Sequence, residues 1–113
     1  MAIATNITDR IAYEEKLNQL AHFDALTGLP NRIMLYDRLE QAVLASQRSS
    51  RLLGVFFLDL DRFKLINDTH GHETGDHVLV AVADRLRSTV RPSDTVARLA
   101  GDEFVILAPG LRT

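Results

Sequence analysis

The stretch from Thr95 to Ala108 limits the possible folds most. Two short apolar runs, Thr95-Val96-Ala97-Arg98-Leu99 and Phe104-Val105-Ile106-Leu107-Ala108, are separated by Ala100-Gly101-Asp102-Glu103. Strand-like runs joined at a Gly-Asp turn predict a β-hairpin, so the chain must build a sheet around it. The tip carries two adjacent carboxylates, Asp102 and Glu103. Like charges that close repel unless water solvates them or a cation sits between them. A solvated tip is one reading. A divalent metal is the other, and it calls for a further carboxylate from elsewhere.

The run Val55-Phe56-Phe57-Leu58-Asp59-Leu60-Asp61 offers that carboxylate. Leu52–Leu60 is almost continuously apolar, which predicts a central strand buried on both faces. Asp59 and Asp61 stand two apart, on one side of its end. If this strand lies beside the hairpin, Asp59, Asp102 and Glu103 converge. Hard oxygen ligands without Cys or His suit Mg²⁺ or Mn²⁺.

The remaining elements read as helices. Asp9 to His22 has a narrow apolar stripe (Ile11, Leu17, Leu20, Ala21), with Thr8 or Asp9 as its cap and Arg10 facing Glu14. Such a stripe suits a stalk or coiled-coil connector, or a simple surface helix. Gly28 and Pro30 turn the chain, and Asn31 caps a second helix reaching about Gln47, with Leu35, Leu39, Ala42, Val43 and Ser46 on one face. A short helix follows from Arg62 to Asp68, its first-turn N–H groups forming a natural phosphate site. A two-glycine loop, Thr69–Asp76, leads to a last helix, His77–Val90, ended by Pro92. Asn67 and Asp76 carry groups able to read a guanine edge, or serve as a helix polar residue and an N-cap. The expected sheet has three strands, with helices on one face and an exposed edge.

A length of 113 residues fits one small domain. The formal net charge of -2 argues against binding a nucleic-acid polymer. There is no cysteine, hence neither disulfides nor thiolate chemistry. His22, His70, His72 and His77 are not spaced as a metal set. No apolar run approaches the roughly 20 residues of a membrane span, and no signal pattern opens the chain, so a cytoplasmic setting is expected.

Four motifs in order carry a family resemblance. They are Asp24-Ala25-Leu26-Thr27-Gly28-Leu29-Pro30-Asn31-Arg32, then Phe57-Leu58-Asp59-Leu60-Asp61-Arg62-Phe63-Lys64. The third joins Ile66-Asn67-Asp68 with Gly71-His72 and Gly75-Asp76, and the fourth is Ala100-Gly101-Asp102-Glu103-Phe104. Together they resemble the GGDEF family of diguanylate cyclase domains. The leader Asn6–Arg10 with Glu14-Glu15 looks like the exit of a PAS sensory domain. The resemblance implies a linker helix over 1–22 and part of a GGDEF domain over 23–113. It implies a palm-like α+β fold, an antiparallel sheet packed with helices, with further elements after the hairpin that this chain does not contain.

The implied reaction condenses two GTP into cyclic di-GMP and pyrophosphate. On that resemblance Asp59, Asp102 and the Leu60 carbonyl hold Mg²⁺ or Mn²⁺, while Glu103 assists metal binding or activates the 3′-hydroxyl. Arg62, Phe63 and Lys64 bind phosphates through backbone N–H groups, and Asn67 and Asp76 hold guanine. Each domain holds one GTP, so catalysis implies a homodimer. Arg91-Pro92-Ser93-Asp94 matches the family's Arg-x-x-Asp site for inhibition by cyclic di-GMP; as a bare turn, Arg91 would only complement a helix end. Ala100 departs from the family's first glycine, and would be strained if that position needs a positive φ. The alternative implied is a catalytically silent domain binding GTP or cyclic di-GMP beside a phosphodiesterase domain.

Overall fold

A computed structural model describes residues 3–112, with side chains from residue 7 onward. The described elements run α1 (Ile3–His22), α2 (Arg32–Ser49), β1 (Leu52–Asp59), α3 (Phe63–His70), α4 (His72–Thr89), β2 (Thr95–Ala100) and β3 (Glu103–Leu111). The hairpin forms as its sequence requires: β2 and β3 pair antiparallel, Ala100 opposite Glu103, leaving Gly101 and Asp102 as the turn. Gly101 has a φ of 45°, which glycine adopts without a Cβ penalty. The fold is α+β, with an antiparallel sheet ordered β1-β3-β2.

That order corrects two expectations. β3, not β1, is central, and among the described residues β1 is an edge strand with Val55, Phe56 and Phe57 exposed. Both runs are continuously apolar, and composition does not say which of two such strands takes partners on both sides. Helices also cover both faces of the sheet, not one. Leu79 and Ala83 of α4 pack on Val96 and Phe104. Leu35 of α2 packs on Ala97, Val105 and Leu107. Val96 and Ala97 are sequence neighbours, as are Phe104 and Val105, so successive side chains feed opposite cores. Each side then needs its own helix.

The helices depart in detail. α1 begins at Ile3, so Thr8 and Asp9 lie within it and do not cap it. Asn31 does cap α2, accepting from the Met34 N–H at 3.1 Å. Thr69–Asp76 is not a loop. Gly71, at φ 90°, turns the chain in one residue, and α4 starts at His72, which leaves Asp76 inside the helix and not at its N-cap.

Candidate nucleotide and metal site

The register of β1 against β3 sets Asp59 opposite Glu103, at the end where the hairpin turns. Leu60 donates its N–H to the Asp102 carbonyl at 3.2 Å, binding the end of β1 to the turn. Asp59 and Asp102 thereby come within hydrogen-bonding reach. That hydrogen bond and then the charge of Asp102 push the Asp59 carboxyl above the usual carboxylate range, with smaller contributions from desolvation, Glu103 and Asp61. Asp59 is exposed, so water reaches the pair. Glu103 stands opposite Asp59 and adds its charge there, and among the described residues no group of three or more His, Cys, Asp or Glu side chains gathers as a metal cluster. Two carboxylates with phosphates filling the shell are nonetheless a usual Mg²⁺ arrangement.

Beyond the strand, Asp61 and Arg62 turn the chain into α3. Arg62 sits in the left-handed region at φ 60°, ψ 24°, and no side chain caps the helix start. A non-glycine residue held there costs roughly 1–2 kcal/mol, and such positions concentrate at functional sites. The effect is to leave the first N–H groups of α3, at Phe63 and Lys64, without a side-chain cap beside Asp59.

Asn67 lies on α3 against α4. Its Oδ1 is buried without a hydrogen-bond partner. A Cβ at Gly75 would lie 1.8 Å from that oxygen, so only glycine fits there. Asp76, the next residue, is exposed. The α3–α4 packing therefore holds Asn67 against Gly75, the residue before Asp76. An unpartnered buried acceptor is costly, and any donor brought to it would relieve that cost.

Arg91 and Asp94 stand apart from these groups, at the turn between α4 and β2. They form an ion pair of 2.7 Å. Arg91 also donates to the Pro109 carbonyl at 2.9 Å. The hydrogen bond to Arg91 holds the Asp94 carboxyl below the usual range, despite desolvation. A cavity of about 360 Å³ opens here, lined by Phe23, Leu29, Arg38, Arg87, Arg91 and Asp94, among others.

One group was not legible as a site in the sequence. Asp24 accepts the Thr27 N–H at 2.8 Å and the Thr27 hydroxyl at 2.7 Å. It also pairs with Arg98, 74 residues on, at 3.1 Å. The Asp-x-x-Thr spacing of a side-chain-closed turn was the available signal, but nothing local names the arginine. Ala100 is also settled: positive φ among non-glycine residues occurs only at Ser50 and Arg62 among the described residues. Alanine at the head of the signature therefore carries no backbone strain.

An antiparallel sheet with helices on both faces, carrying Asp59 at the end of β1 and Asp102 at the hairpin turn, defines an α+β class of domain. The sequence profile described as "Diguanylate cyclase, GGDEF domain" matches residues 21–113, and the chain belongs to this family. It is 55% identical over 92 residues to the bifunctional diguanylate cyclase/cyclic di-GMP phosphodiesterase MucR of Pseudomonas aeruginosa, covering 81% of this chain and 13% of MucR. The GGDEF domain of TpbB (YfiN) from the same organism superposes with a TM-score of 0.78 at 49% identity, over 81% of this chain and 54% of that one. The coiled coil and GGDEF domain of DgcB from Caulobacter crescentus, in complex with cyclic di-GMP, superposes with a TM-score of 0.85 at 32% identity, over 95% of this chain and 56% of that one. The chain thus spans about an eighth of MucR and just over half of each solved chain. No helix among the described residues is long and apolar enough to cross a membrane.

Proposed function

We propose that this chain supplies the metal- and nucleotide-binding part of a diguanylate cyclase that makes cyclic di-GMP from two GTP in the cytoplasm. The observation that carries the reading is the meeting of the β1 end with the hairpin turn, which sets Asp59 opposite Glu103 and close enough to Asp102 for that carboxylate to raise the cost of ionising Asp59. A divalent cation relieves such a pair, and an all-oxygen donor set suits Mg²⁺ or Mn²⁺. Asp59, Asp102 and the Leu60 carbonyl would hold it; when bound it neutralises charge on the triphosphate.

The chain's own groups account for the rest. N–H groups at Arg62, Phe63 and Lys64 take up phosphate oxygens at the start of α3. Asn67 Oδ1 and the Asp76 carboxylate accept from guanine N–H groups, which removes the unpartnered acceptor. Glu103 assists metal binding or accepts the proton of the 3′-hydroxyl. The 3′-oxygen of each GTP then bonds to the α-phosphorus of the other, and each α-phosphorus loses its bond to pyrophosphate, so two pyrophosphates leave. In-line attack needs two aligned nucleotides, and each domain aligns one. Two domains must therefore face each other as a homodimer.

Residues 1–22 serve as the linker helix from a sensory domain, and 23–113 as part of the GGDEF domain. Ile7, Ile11, Tyr13, Leu17 and Leu20 are exposed on α1, which gives two chains an apolar surface to pair through. Arg91 and Asp94 would take cyclic di-GMP as an inhibitor, exchanging their mutual ion pair for contacts to phosphate and guanine. A catalytically silent regulatory domain that binds these nucleotides beside a phosphodiesterase is the second reading, favoured by a relative named only as a cyclic di-GMP phosphodiesterase, NbdA of Pseudomonas aeruginosa, 49% identical over 92 residues.

The test is a product assay with GTP and Mg²⁺, followed by chromatography for cyclic di-GMP, beside Asp102→Ala. Product that disappears in the variant supports the cyclase. Nucleotide binding without product, both here and in a version extended beyond Thr113, favours the regulatory domain.

A further inference from the structure

The loop after α1 is bound to the signature turn through one side chain. Asn31 ties the loop's two ends, its amide nitrogen donating to the Ala21 carbonyl at 3.0 Å and its N–H to that of His22 at 2.9 Å. Within the loop, the Pro30 carbonyl accepts the Arg98 N–H at 3.0 Å. The Arg98 guanidinium then works in two directions. Nη1 lies 3.1 Å from both oxygens of Asp24. Nε donates to the Gly101 carbonyl at 2.8 Å. The Arg98 and Asp24 side chains are only 15% and 21% exposed, so water competes weakly for their ion pair, while the bond to the Gly101 carbonyl lies at the surface.

We infer that Arg98, oriented by Asp24, is a positioning residue for the Gly101–Asp102 turn, and that it couples the end of α1 to the place where the carboxylates meet. Gly101 has no side chain to anchor it, and a Cβ there would meet nothing within 4 Å. A turn packed against nothing depends on its backbone hydrogen bonds for position. On one side that bond is Leu60 N–H to the Asp102 carbonyl. On the other it is Arg98 to the Gly101 carbonyl. Asp24 adds direction, since Thr27 fixes the carboxylate through two hydrogen bonds before Arg98 meets it. Residues directly joined to α1 thus set where Asp102 stands, without touching a nucleotide. The inference deepens the proposed function, because positioning Asp102 matters only if Asp102 holds a metal.

Amide hydrogen exchange on the 113-residue chain tests it, with Mn²⁺ affinity measured alongside. The reporter is the Leu60 amide, whose acceptor is Asp102; the control is the Val105 amide in the middle of β3. Asp24→Asn removes the orienting charge. Arg98→Lys keeps a cation beside Asp24, but its one amine does not reproduce both bonds. Each variant is expected to speed Leu60 exchange about tenfold or more while leaving Val105 unchanged, since a lost charge-assisted bond opens the turn locally. Unchanged Leu60 exchange overturns the inference. So does an equal rise at Leu60 and Val105, which marks a general loss of stability. If Asp24→Asn does not fold, Arg98→Lys decides alone. Absence of Mn²⁺ binding in the unsubstituted chain overturns the metal reading instead, and the exchange result still judges the positioning.

Discussion

Asn67→Leu is expected to raise stability and lower GTP affinity together. Asn67 Oδ1 is buried on α3 with no hydrogen-bond partner. An unsatisfied buried acceptor costs about 1–3 kcal/mol, and leucine has nearly the same branched shape without the polar atom. Leucine also favours a helix interior over asparagine by a few tenths of a kcal/mol. Against this, a methyl is larger than an oxygen, and the oxygen already fills the space a Gly75 Cβ would need. The crowding takes back part of the gain, leaving about 1 kcal/mol. For a domain of this size that is a rise in melting temperature of about 4 °C. The same change deletes the acceptor proposed for guanine, so GTP should bind about tenfold more weakly, roughly 1.4 kcal/mol. Thermal unfolding by circular dichroism gives the first quantity and calorimetric titration with GTP the second. A fall in melting temperature would refute the claim that the oxygen is unsatisfied. A rise with undiminished GTP affinity would refute its role in holding guanine.

Three further outcomes are expected. Burial would raise the Asp24 carboxyl, but the Thr27 hydroxyl, the Thr27 N–H and Arg98 outweigh it and hold it below the usual range. Its contribution to stability is therefore complete above about pH 4 and lost as pH falls through the lowered folded value, so Asp24→Asn should flatten the acid limb of urea-unfolding midpoints plotted against pH. Ser50 closes α2 in the left-handed region at φ 59°, and Ser50→Gly should stabilise by about 0.5–1 kcal/mol in urea unfolding; no gain would mean that the strain is relieved elsewhere. Phe57 is 77% exposed on the edge strand, so Phe57→Thr should cost about 0.5 kcal/mol or less while reducing self-association in sedimentation velocity. A loss of several kcal/mol would contradict the exposed edge.

How much the sequence disclosed varies with the range of the interaction involved. Where a residue's role depends on neighbours a few positions away, it was readable. Asn31 caps α2 because an amide oxygen at that place reaches an N–H three residues on. The hairpin was readable because Gly101 permits the turn that Ala100 and Glu103 close. The sequence also placed Asp59 at a strand end and Asp102 and Glu103 at the hairpin tip, and the register sets Asp59 opposite Glu103. Gly71 misled, because a glycine that marks a loop also serves as a one-residue corner between two helices.

The sequence by itself determined most of the local alphabet of this protein: the three strands, the hairpin turn, the cap of α2, and which carboxylates lie at strand ends. Local sterics and short hydrogen bonds decide those matters, and both act within a few residues. The tertiary structure alone decided that β3 is central, that β1 is left at the edge, and that helices are needed on both faces. Apolar burial rewards any partner of suitable shape, so a hydrophobic run does not name its neighbour. The pairing of Asp24 with Arg98 across 74 residues belongs to the same class. Charge attracts without regard to position in the chain, and only the closed sheet brings that aspartate and that arginine within reach.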